Sequence, residues 1–234
     1  MVEKPELLLC IDSSTPTGSV AIVSGTTVLV EITINVSGRS HSDYLLRYVQ
    51  FVLAESGLNM GDVTALVAVV GPGSFTGLRV GLATVQGLAQ AQALPIYPVS
   101  ALQTVAFANG VTDLPVQVLI DARKQEVYSA CYVWRNGIPL LQGSEQVLPP
   151  GKLLAQIVTR SLLVGNGALL YRAAIEKQLP DLGLLSHDLN SVPRASAAGL
   201  LVNALGVMAK VVNFFELRPV YVRLSDAELQ RRGI

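Results

Sequence analysis

Residues 63–70, VTALVAVV, place one threonine among seven apolar side chains and lead straight into GPGSFTG. A run this rich in β-branched residues, without polar alternation, suits a strand covered on both faces, which is the condition of a parallel strand inside an α/β sheet. The glycines that follow mark a tight strand-to-helix turn, and Ser74 or Thr76 can cap the helix it opens. That helix is expected to run to about residue 93.

The flanking sequence supplies a context for this unit. The chain opens with LLLCID (7–12), a polar turn SSTPTG, SVAIVS (19–24), a GTT turn and VLVEITINV (28–36), a meander of three strands. After SGRSHS, apolar residues recur at 44, 45, 48, 49, 52 and 53, the stripe of an amphipathic helix, with Ser42 placed to cap its start and Gly57 to end it. The order β-β-β-α-β-α is that of the repeating lobe of the actin-like, ribonuclease H-like ATPase superfamily, which is usually built twice around a cleft. A shared topology implies no activity.

The remainder reads as a second, reduced copy. Strands are expected over 116–122 and 126–134, with a third ending near 147, then a helix over 152–159, a strand over 162–168, a helix from Tyr171 and a long apolar helix after Arg194. At 234 residues the chain suits two lobes: 1–105 as the first and 106–212 as the second, with the tail 213–234 able to rejoin the first. The fold class expected is therefore α/β, two-lobed, with a mixed sheet in each lobe.

Charge narrows the functional classes. Seventeen basic and seventeen acidic residues cancel, the pI is near 6.7, and the chain alone has no global field to draw a phosphate polymer. Cys10 and Cys131 lie in apolar strand-like runs without C-x-x-C spacing, so they read as buried thiols of a reducing cytosol. His41 and His187 stand apart, which excludes an H-x-x-x-H metal site. The stretch 195–215 has the length of a membrane span, but Asn203, Lys210 and Asn213 interrupt it, and a buried helix of a soluble fold has the same composition. The acidic, polar start MVEKPE is unlike a signal peptide.

Between residues 63 and 120 the charges are Arg79 and Asp113. So neutral a stretch implies either a large partner interface or a core strand and helix joined to an uncharged linker.

Two sets of residues are candidates for nucleotide loops. In the first lobe Asp12 ends the opening strand, followed by Ser13, Ser14 and Thr15, where actin-like ATPases hold metal and phosphate. Gly71, Gly73, Ser74, Thr76 and Gly77 form the nearby glycine turn, whose free N–H groups can receive an anion or whose glycines can serve close packing. The turn lacks the lysine of a phosphate loop, since Leu78 follows Gly77, and lacks the dinucleotide fingerprint, since Thr76 stands at a required glycine. In the second lobe Asp121 takes the position of Asp12, but Ala122, Arg123 and Lys124 follow it without glycine. Gly165 and Gly167 stand where the superfamily sets glycines beside adenosine. The loops read as vestigial.

LLLCIDSSTPTGSVAI, RSHSDYLL, VVGPGSFTGLRVGLATVQGLA, LPIYPVSAL, LIDARKQEVYSACY and PVYVR, in that order and spacing, resemble the TsaB (YeaZ) family over nearly the whole chain. The resemblance implies a cytoplasmic, noncatalytic subunit for making threonylcarbamoyladenosine next to the anticodon of tRNAs that read codons beginning with A. In that family the chemistry belongs to the paralogue TsaD, which pairs with TsaB through the first-lobe helices. The ATPase TsaE joins them, TsaB alone can form a homodimer through much the same face, and tRNA is engaged through the complex. It implies no tightly bound cofactor, with ATP or ADP at the level of the complex. TsaD carries metal-binding histidines in a segment like PVHHMEGH, and PVSALQTV stands here, with Ala101 and Val105 in their places. Neither side chain can ligate a metal.

Under that resemblance Tyr44, Leu45 and Tyr48 of the first helix, with Leu78, Leu82 and Val85 of the second, are the apolar interface candidates. Arg79 either sets specificity across the interface or caps a neighbouring helix. The competing reading is an ATP-dependent kinase or phosphohydrolase of the actin-like superfamily that uses Asp12 and the glycine turn.

Overall fold

A computed structural model describes residues 7–35, 44–187 and 190–223. The first sheet holds β1 (Leu7–Asp12), β2 (Thr17–Ser24), β3 (Thr27–Asn35), β4 (Ala65–Val69) and β5 (Ile96–Val99), in the spatial order β3-β2-β1-β4-β5. The second holds β6 (Val116–Asp121), β7 (Val127–Arg135), β8 (Ile138–Leu148), β9 (Ser161–Val164) and β10 (Gly183–Leu185), in the order β8-β7-β6-β9-β10. Each sheet is an antiparallel meander extended by two parallel strands, and the two orders are the same. The expected two-lobed, actin-like α/β architecture is what the chain adopts, and the copy is reduced in its helices rather than its strands.

Alternation along the strands creates the layers. In β1, Leu9 and Ile11 face an outer core shared with α1 (Leu45–Glu55) and α2 (Phe75–Gln92), while Leu8 and Cys10 face an inner core shared with the second sheet. In the second sheet Val116, Val118 and Ile120 of β6 face that same inner core, and Leu119 packs outward with α4 (Pro150–Leu154), α5 (Asn166–Leu170) and α6 (Arg172–Gln178).

The inner layer consists of α3 (Ala101–Ala108) and α7 (Ala195–Leu205), and these two helices cross over between the lobes. α3 follows β5 of the first sheet but packs on β6, β7 and β8; α7 follows the second sheet but lies on β1, β2, β3 and β4. Small residues let α7 approach closely: a Cβ on Gly199 would stand 2.6 Å from the Cys10 sulfur. Its N-terminus is satisfied across the sheet, where Ala195 N–H donates to Ser19 Oγ at 2.8 Å and Ser196 N–H to Glu31 Oε1 at 3.0 Å. Arg194 pairs with the same carboxylate at 2.5 Å. The boundary expected near residue 106 thus falls inside α3, and α7, within the expected second lobe, belongs by its contacts to the first sheet.

Several element boundaries differ from the sequence reading. β5 with α3, and β10, were not anticipated, because four residues containing Pro98 and three residues GLL are too short to carry a period. The helix expected over 152–159 is the short α4, and the strand expected over 162–168 stops at Val164, where Gly165 turns with φ +103° into α5. The long helix expected after Arg194 ends at Leu205, followed by Gly206 at φ +52°. Among the described residues no helix is long and apolar enough to cross a membrane. Ser42 and His41 lie outside the described residues.

Beyond α7 the chain returns to the first sheet. Val212 bridges antiparallel to Ile96, the Gln86 amide donates to the carbonyls of Phe214 and Leu217, and Val220 N–H donates to Val70 O at 2.8 Å.

Candidate functional site: two strand-end turns and an outward helix face

The two strand-end turns singled out by the sequence lie at the C-terminal ends of β1 and β6. At the first, Asp12 is wholly buried, and Ser13, Ser14 and Thr15 are almost so. Asp12 Oδ1 accepts the Ser14 N–H at 2.9 Å, but Asp12 Oδ2 and Ser14 Oγ are buried without a hydrogen-bond partner. Burial pushes the Asp12 carboxyl up to about 7, against the lowering effect of the adjoining Ser14, whose N–H it accepts, with the Glu31 carboxylate adding to the rise.

What covers this turn is the start of α2. Ser74 N–H donates to Ser14 O at 2.7 Å, Ser13 Oγ donates to Gly77 O at 2.8 Å, and Ser74 Oγ caps the helix by accepting from Gly77 N–H. A Cβ on Gly73 would fall 2.1 Å from Ser14 O, one on Gly77 2.1 Å from Ser13 O, and one on Gly81 2.1 Å from Ser13 Oγ. Of the two roles open to these glycines, the structure builds the packing one. Thr76 is exposed and Gly71 buried, with φ +112° and Val220 O 2.8 Å from where its Cβ would be.

The second turn is closed in another way. Asp121 Oδ1 accepts Arg123 N–H at 2.9 Å, and its own N–H donates to Asn166 Oδ1 at 3.0 Å. Arg123, Lys124 and Gln125 are three successive left-handed residues, φ +62°, +53° and +59°, closed by Glu126 N–H on Arg123 O at 3.0 Å. Such a run of non-glycine residues costs about 1–2 kcal/mol each and requires support. Arg223 provides a brace: its guanidinium donates to Glu126 Oε2 at 2.9 Å and to Ala122 O at 2.8 Å. Gly165 and Gly167 press on β6, with Leu119 O 2.1 Å and 2.9 Å from their would-be Cβ atoms.

The actin-like fold implies a nucleotide between these two turns; here α2 packs directly on the Asp12 turn, the left-handed Arg123–Lys124–Gln125 segment follows Asp121 in place of glycine, and the polar atoms left without a partner at the first turn are Asp12 Oδ2 and Ser14 Oγ. Ala101 and Val105 are fully buried in the inner core on α3.

The interface candidates divide. Leu45, Leu82 and Val85 are buried within the chain's own outer core and Leu78 is buried against the glycine turn beside Gly71, so all four are corrected from surface to interior residues. An amphipathic stripe reports that a face is covered, and here the first sheet covers it. Tyr44 and Tyr48 are half-buried and stacked, ring centroids 5.8 Å apart. The exposed residues are Leu46, Arg47, Gln50, Phe51, Ala54 and Glu55 on α1, and Thr76, Arg79, Ala83, Gly87, Gln90, Ala91 and Gln92 on α2, with Arg79 the one charge of α2. Arg79 stands over Phe75 and donates from Nε to the Tyr221 hydroxyl at 3.2 Å. Tyr221 and Arg223 were missed as site residues. The PVYVR motif was their signal, but nothing in a tail's sequence shows where it returns.

Residues 28–209 match the family model described as TsaD, tRNA N6-adenosine threonylcarbamoyltransferase. The chain is 35% identical to the tRNA threonylcarbamoyladenosine biosynthesis protein TsaB of Escherichia coli K12 and 29% identical to that of Bacillus subtilis 168, in each case over 94% of this chain and 96% of the relative. A solved Pseudomonas aeruginosa structure described as similar to peptidase YeaZ superposes with TM-score 0.79 at 30% identity, covering 93% of this chain and all of that one, and a second, YeaZ from the same organism, with TM-score 0.77, covering 92% and 99%. Matched along almost its whole length in sequence and in fold, the chain belongs to the TsaB (YeaZ) family, within the broader family that includes TsaD.

Proposed function

We propose that this chain is a noncatalytic subunit in the synthesis of threonylcarbamoyladenosine on tRNA, at the adenosine next to the anticodon of tRNAs that read codons beginning with A. It pairs with a TsaD-like transferase through the outward face of α1 and α2, works with a TsaE-like ATPase, forms a homodimer when alone, and meets tRNA through the complex in the cytoplasm. The observation that carries this reading is the packing of α2 on the Asp12 turn: three glycines approach Ser13 and Ser14 more closely than any side chain could, so the phosphate turn of the fold serves to hold a helix in place. ATP or ADP acts at the level of the complex, with none bound tightly by this chain. The nearly uncharged outward face of α2 fits a docking role.

The test is light-scattering mass analysis of the chain alone and mixed with its cognate TsaD-like protein, repeated with Ala83→Glu. Ala83 is exposed, so the charge tests the surface; at buried Leu82 it would test folding instead. A 1:1 complex weakened by Ala83→Glu is the expected result. Separate elution of the two proteins, or ATP turnover by the chain alone that Asp12→Asn abolishes, would overturn the reading.

A further inference from the structure

Arg79 on α2 is held by contacts with Phe75 and with Tyr221 of the returning tail. Its guanidinium stands 5.8 Å from the Phe75 ring centroid, and Phe75 stacks on Tyr221 with centroids 4.3 Å apart and planes inclined by 13°. Nε donates to the Tyr221 hydroxyl at 3.2 Å. Tyr221 is in turn fixed from both sides, by Val220 N–H on Val70 O and by Arg223 on Glu126 and Ala122 O. An exposed arginine is thereby ordered, while its two terminal nitrogens have no ion pair among the described residues. Ordering removes much of the side-chain entropy that a later contact would otherwise have to overcome.

We propose that the terminal nitrogens of Arg79, positioned by Phe75 and Tyr221, receive a carboxylate of the protein partner, so that the C-terminal segment around Tyr221 is part of the docking surface. The proposal rests on the accessory-subunit reading and names the chemistry of its contact. A carboxylate of a protein suits the surroundings better than a phosphate chain. The outward face of α2 offers one cation amid small neutral residues, nearby Arg223 is already paired with Glu126, and a nucleic-acid backbone is gripped by several cations at once. Arginine beside tyrosine is also the composition of interface hot spots.

The experiment measures the affinity of the full chain for its cognate TsaD-like protein by calorimetry, at low and high salt, for Arg79→Ala, Arg79→Lys and Tyr221→Phe. Arg79→Ala should weaken binding roughly tenfold or more and abolish most of its salt dependence. Arg79→Lys, which keeps the charge but loses the fork, should recover part of the loss, and Tyr221→Phe, which keeps the stack but not the hydroxyl, should weaken binding by a smaller factor. Thermal melting of all three variants should match the parent, because the side chain is exposed. A normal parent complex with an indifferent Arg79→Ala overturns this inference alone. So does an Arg79→Ala variant that binds the partner normally while the assembled complex loses affinity for tRNA, since the anion would then be a phosphate. A parent chain that does not associate overturns the subunit reading and this inference with it.

Discussion

Asp12→Asn should make this protein more stable at alkaline pH. The Asp12 carboxyl is fully buried at the end of β1, with one oxygen unpaired, and burial raises it from its ordinary 3.8 to about 7. A raised acid means that between these values the folded state binds more protons than the unfolded one, so stability falls as pH rises. The contribution is fully present below pH 3.8 and has been lost once the pH has passed through about 7. A rise from 3.8 to about 7 corresponds to about 4 kcal/mol at high pH, of which about 2–3 kcal/mol is lost between about pH 5 and about pH 8. Asparagine keeps the oxygen that accepts Ser14 N–H, removes the ionisation, and sets an amide donor where the Ser14 hydroxyl is itself buried and unpartnered. Urea unfolding of parent and variant across this range should show the parent losing stability with rising pH, and Asp12→Asn exceeding it by about 2 kcal/mol or more at the alkaline end. A stability difference between the two proteins that does not change with pH would refute the reasoning.

Other substitutions probe the packing of α2 on the first turn and the brace on the second. Gly81→Ala should destabilise by about 3 kcal/mol, because the new methyl meets Ser13 Oγ, and Ser13→Ala in the same chain should restore about half of that by removing the obstructing oxygen. Strict additivity of the two changes in denaturant unfolding would show that the contact is not what the glycine serves. Arg223→Ala should cost about 1 kcal/mol, and a double-mutant cycle with Glu126→Gln should assign most of that to the pair, which is largely but not wholly shielded from water. Zero coupling in the cycle would show that the Arg223–Glu126 pair does not support the left-handed Arg123–Lys124–Gln125 turn.

Much of the architecture was legible because it depends on local pattern. LLLCID, SVAIVS and VLVEITINV alternate or run apolar between turn residues, and the pairing of β1 with β2 and of β2 with β3 follows from short connections. The glycine turn after residue 70 was found from sequence, but its purpose was not. Gly73, Gly77 and Gly81 are equally compatible with an anion cradle and with a close contact, and what decides between them is the position of Ser13 and Ser14, some sixty residues away in sequence. The candidate face was half legible for a related reason. A helical stripe at Leu45, Leu82 and Val85 marks residues that avoid water without saying whether their own sheet or another protein covers them, and the first sheet does.

The sequence by itself determined two similar α/β units joined in one chain, a strand-to-helix turn dense in glycine, and a second helix carrying a single charge, because each is written in residues near one another. The tertiary structure decided that α3 and α7 exchange lobes, that the Asp12 turn is filled by the backbone of α2, and that the tail returns to hold Arg79 against Phe75 and Tyr221. Each of these is a contact between segments far apart in the chain, where the same apolar or small residues satisfy several partners. The choice among partners is made by the packing of the whole, not by any local preference.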